Sequence, residues 1–79
     1  MPQSFSLSKA RCAVIADPSL RREILAHTGS EAATSGILRS IDRFSDDAAI
    51  LRYDITPQTG GAGARSTRAV AWSVRAVRL

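Results

Sequence analysis

The sequence predicts an α+β domain: two to three N-terminal helices followed by a C-terminal antiparallel β-hairpin, the element order of a winged helix. Three observations lead there. Residues 17–29 read DPSLRREILAHTG, a helix with its own start and stop signals. Residues 48–56 alternate along the chain with period 2, the pattern of a half-buried strand. Residues 68–79, RAVAWSVRAVRL, carry the only Trp and a run of three valines, and a glycine-rich stretch separates them from the preceding strand.

Residues 1–6 read as a loose arm. From Leu7, the spacing of Leu7, Ala10, Arg11, Val14 and Ile15 is helical, and Ser6 is placed to cap it. A short strand over residues 11–16 is the alternative. Asp17 followed by Pro18 is a cap residue followed by proline at the first helical position. Leu20, Ile24, Leu25 and His27 follow at helical spacing, and Gly29 supplies the stop because glycine enters the left-handed region at little cost. Residues 18–28 are therefore a helix.

In residues 30–44, Ala33, Ile37, Leu38, Ile41 and Phe44 fall on one helical face. Gly36 in the middle weakens that helix by ~1 kcal/mol relative to Ala. The rival is a hairpin of residues 36–44 with 48–56, which would make residues 36–79 a small antiparallel β-meander or barrel behind one or two N-terminal helices. Ser45, Asp46 and Asp47 are a turn on either reading. In residues 48–56, Ala49, Leu51, Tyr53 and Ile55 share one face, while Ile50, Arg52, Asp54 and Thr56 share the other. Pro57 is expected to end the strand. Residues 57–66 form a flexible glycine-rich loop. In the last strand, Val70, Trp72, Val74 and Ala76 share the buried face. Because this stretch holds the Trp, the rest of the core is expected to gather around it.

The chain has 79 residues and reads as a single domain. At that size only ~60% of the unfolded surface is buried. Four aromatics and thirteen alanines make a thin core, which homo-oligomerisation could complete. Ten Arg and one Lys against seven acids give a net charge of +4. That excess suits an anionic partner such as nucleic acid. Arginine far above lysine, with abundant alanine, is also what GC-rich coding yields without selection for phosphate binding. Cys12 is the only cysteine, which excludes an intrachain disulfide or a zinc cluster and suits a reducing, cytoplasmic setting. No apolar run approaches the ~18 residues of a membrane span. The apolar patch at residues 12–16 is too short for a signal-peptide core.

The sequence points away from catalysis and cofactors. His27, the only histidine, is placed where a helix-end imidazole meets the last carbonyls. No third group is identifiable to orient a Cys12–His27 pair. Asp42, Asp46, Asp47 and Asp54 lack calcium-loop spacing, so no metal is expected. TGGAGARST at residues 59–67 lacks the lysine and the following helix of a phosphate-binding loop.

The outward face of the 30–44 helix is more suggestive. It carries Ala32, Ser35, Gly36, Arg39 and Arg43: small residues that permit close approach, then two cations suited to phosphates or guanine edges. Arg65 and Arg68 near the hairpin tip add a second cationic contact, as a wing would. The ordinary alternative pairs Arg39 with Asp42, and Arg43 with Asp46 or Asp47, as a solvated charged surface. Residues 25–29 (LAHTG), with Thr34 and Ile37-Leu38-Arg39, are similar to bacterial helix-turn-helix segments over residues 25–39. They depart from them at Ser30 and Ser35, where those segments carry apolar residues, and the resemblance assigns no site. The sequence thus predicts a small basic non-catalytic nucleic-acid-binding domain that contacts its ligand through Arg39, Arg43, Arg65 and Arg68. The alternative is a protein–protein interaction module, an adaptor, inhibitor or homo-oligomer, using an exposed strand edge.

Overall fold

The computed structural model describes residues 3–58 and 70–79. The glycine-rich segment, with Arg65 and Arg68, lies outside them. The described chain is α+β: a strand β1 (Phe5–Ser8), two helices α1 (Pro18–Thr28) and α2 (Glu31–Arg43), and two further strands β2 (Ile50–Gln58) and β3 (Ala71–Arg78). The strands form one antiparallel sheet in the order β1-β2-β3.

Local chemistry accounts for both helices. The Asp17 carboxylate accepts from the N–H of Ser19 at 2.9 Å, with Pro18 opening α1. Gly29 closes it at φ 66°, ψ 14°, its N–H reaching Leu25 O at 2.7 Å. The next residue already starts α2: Ser30 Oγ accepts from the N–H of Ala33 at 3.2 Å. Thr34, fully buried, donates its hydroxyl to Ser30 O at 2.8 Å and sits 3.2 Å from Thr28 Oγ1. The tight joint between the helices is thus closed by hydroxyls, and the buried polar group is satisfied.

Three expectations are corrected. The helix over residues 7–15 does not form. Phe5 and Leu7 belong to a strand paired with Ile55 and Tyr53, and residues 9–16 are turns that leave Val14 exposed. The apolar spacing that suggested a helix is shared between a strand and a loop, each burying one or two residues. A strand therefore precedes the helices, and it takes in Phe5 and Ser6 of the expected loose arm. The alternative meander over residues 36–79 is replaced by α2, because Thr34, Ile37 and Ile41 repeat at helical spacing and bury together. Pro57 does not end β2 but pairs with Trp72. The β1 partner stops at Phe5 opposite Ile55, so beyond that point one side of β2 has no neighbour among the described residues, and the N–H that proline lacks is not needed there.

The β2 faces also differ from simple alternation. The register steps from Ile50↔Arg78 to Arg52↔Val77, leaving Leu51 as an extra residue. This bulge turns Ile50 inward at 3% exposure and leaves Leu51 at 47%. Both helices cover the same sheet face. Leu20 and Ile24 of α1 and Ile37 and Ile41 of α2 pack with Leu7, Ile50, Tyr53 and Ile55. Trp72, Val74 and Ala76 of β3 flank this core on the expected face, but none is fully buried. The core gathers on β2, not on the Trp-bearing strand. The opposite sheet face is uncovered among the described residues and mostly polar, with Ser6, Arg52, Asp54, Ser73 and Arg75 on it beside Val77.

Candidate nucleic-acid interface

The burial of Thr34, Ile37 and Ile41 fixes which side of α2 meets water. Ala32, Gly36, Arg39 and Arg43 recur at i, i+4, i+7 and i+11, and all four are exposed. They form one outward stripe, small residues on its first half and guanidinium groups on its second. A Cβ built at Gly36 would meet nothing within 4 Å. A ligand could therefore approach the helix backbone closely at that turn.

Neither Arg39 nor Arg43 makes an ion pair among the described residues. The pairings with Asp42, Asp46 or Asp47 that would make this an ordinary charged surface do not form. Asp47 is held elsewhere. It accepts from Arg78 Nε at 2.8 Å and from the N–H of Ala49 at 3.0 Å, and these bonds, the Arg78 one first, lower its pKa. Arg11 binds Asp17, Glu23 and the Ser19 hydroxyl, and so ties the loop before α1 to that helix. Arg21 reaches across to Glu31 and Ser35 on α2. Arg52 donates to Asp54, whose pKa is lowered first by the Ser6 hydroxyl and then by that guanidinium. Four of the eight described arginines are thus engaged in the fold, while Arg22, Arg39, Arg43 and Arg75 make no ion pair there.

Arg65 and Arg68 fall in the undescribed segment. Its roots, Gln58 and Ala71, lie at the end of the sheet where Phe5 stacks on His27 with ring centroids 4.0 Å apart and Trp72 meets Phe5 edge-on. Arg43 is at the other end of α2, beside Phe44 and the Lys9 side chain. Ser30, one of the two positions at which the helix-turn-helix likeness fails, is the residue that caps α2. In the joint, the left-handed Gly29 is followed at once by a helix start.

His27 is exposed, stacked on Phe5, and makes no hydrogen bond with Cys12. Lys9 is the residue whose role the sequence conceals. Its ammonium donates to Phe44 O and Ser45 O, both at 3.1 Å, and to Tyr53 Oη at 3.3 Å, so it closes the C-terminus of α2. No local pattern links it to partners more than thirty residues away. Compared with known families, curated proteins and solved structures, the chain matches none.

Proposed function

We propose that the protein is a small non-catalytic nucleic-acid-binding module that sets the outer stripe of α2 against a duplex. In this reading α1, the Gly29 joint and α2 act as a helix-turn-helix pair in a winged-helix-like order. The β2–β3 hairpin acts as the wing, bringing Arg65 and Arg68 to the backbone. A reducing, cytoplasmic setting goes with it. The observation that carries the reading is the unpaired state of Arg39 and Arg43 among the described residues, beside the small Ala32 and Gly36, in a fold that pairs four other arginines. Asp42 borders the stripe and keeps the anion-receptive strip narrow.

Fluorescence anisotropy with a labelled duplex tests this. The wild type should bind with an affinity that falls with salt, and Arg39→Ala with Arg43→Ala should weaken binding and flatten the log–log salt slope by roughly 2. Salt-independent or absent binding by the wild type overturns it.

The outer edge of β3 supports a second reading. Its eight residues pair with β2 alone among the described residues, and they include no proline or lysine to block a further strand. A second copy docking there would join two three-stranded sheets into one. Sedimentation separates the readings: a stable dimer without DNA affinity favours this one.

A further inference from the structure

A cavity of about 280 Å³ opens between the turns at residues 9–16 and the last turns of α2. Its apolar lining is Cys12, Ala13, Ile15 and Ile41, and its polar lining is Lys9, Tyr53, Asp42 and Ser45. Tyr53 is 1% exposed. Its hydroxyl accepts from Lys9, and among the described residues nothing accepts from it. A buried O–H donor thus stands unused beside a cation, and both residues line the cavity. The three hydrogens of Lys9 are taken by Phe44 O, Ser45 O and Tyr53 Oη, so the lysine contributes charge and Tyr53 contributes the donor.

We propose that this cavity binds a small carboxylate with an apolar body, one carboxylate oxygen accepting from the Tyr53 hydroxyl in the field of Lys9. The size fits: a cavity of about 150 Å³ holds benzene, so this one has room for a ring and a carboxylate. The charge beside the donor fits as well, since the ammonium lies next to it, while Asp42, also in the lining, is exposed to water. Burial pushes the Cys12 thiol up, against smaller opposing effects of Arg11 and Lys9, so the wall stays uncharged. This site is distinct from the α2 stripe, and binding there does not depend on nucleic-acid affinity.

The probe is phenylacetate, titrated into the full chain and followed by amide chemical shifts, with 2-phenylethanol as the uncharged analogue. Saturable shifts are expected at residues 9–15, 41–45 and 53, with a dissociation constant on the order of millimolar and clearly weaker binding of the alcohol. Tyr53→Phe, nearly isosteric, should weaken phenylacetate by about tenfold, the loss of a hydrogen bond to a charged group. Ala13→Phe, at an exposed position on the cavity wall, should abolish the shifts and leaves the test intact if the Tyr53 variant unfolds. The proposal is overturned if the wild type shows no saturation, if the alcohol binds equally well, or if the Ala13 variant still binds.

Discussion

Two strands of one hairpin, β2 and β3, face the same helices and differ in what they do. Ile50, Tyr53 and Ile55 of β2 are buried almost completely, while no residue of β3 is. Yet β3 has the only Trp and the greater share of valine. Position in the sheet decides the matter. β2 has a strand on either side and lies under the helix pair, whereas β3 has one neighbour and an open edge among the described residues. The lesson is that apolar content shows which segments can be buried, but sheet order determines which one the core is built on.

The sharpest test of that contrast uses the cross-strand partners Ile55 and Val74. Ile55→Ala should destabilise the domain by roughly 2–5 kcal/mol in urea unfolding, the range for truncating a fully buried side chain. Val74→Ala, on a half-buried edge strand, should cost only about 1 kcal/mol. Equal costs would break the comparison. Gly29→Ala should cost about 1–2 kcal/mol by forcing a Cβ into the left-handed region, while both strands keep their register.

Acid should loosen the sheet from both sides of β2. Asp54 is held below the usual carboxylate range by Ser6 of β1 and by Arg52, and Asp47 by Arg78 at the end of β3. A depressed folded pKa means that the stabilisation is present above the unfolded pKa of about 4 and is lost as pH falls through the folded value. Urea midpoints should therefore hold steady from neutral pH down to about 5 and drop below about 4. Asp54→Asn and Asp47→Asn should each reduce that drop. The smallest effect is expected outside the sheet. Gly36→Ala should stabilise the protein by up to about 1 kcal/mol, since the position is helical, exposed and unobstructed. An unchanged or lower midpoint would show that its neighbourhood is not open.

Much of this was legible where signals are local. Asp17, Pro18 and Gly29 mark the bounds of α1 because capping is settled within a turn of helix. Ile37 and Ile41 mark the buried side of α2, although the polar Thr34 at its centre is invisible to a count of apolar residues. The alternation of Trp72, Val74 and Ala76 marks the inward face of β3. What failed depends on distant partners. β1 exists because Phe5 and Leu7 find Ile55 and Tyr53 far along the chain, and four residues carry too little pattern to announce that. The bulge at Leu51 reverses the early part of β2, and nothing in the alternation marks it. The same holds for the candidate surfaces. The outward position of Arg39 and Arg43 follows from helical spacing, whereas the Lys9–Tyr53 contact and its cavity follow only from the folded chain.

The functional account rests on which of the two open regions meets a partner, the stripe on α2 or the edge of β3. Amide chemical-shift mapping of the wild type with a short duplex at low salt addresses this directly. The account predicts shifts concentrated at Ala32, Gly36, Arg39 and Arg43 and at the wing residues Arg65 and Arg68, fading as salt is raised, with residues 71–78 unmoved. Shifts confined to residues 71–78, or a spectrum that the duplex leaves unchanged, would contradict it.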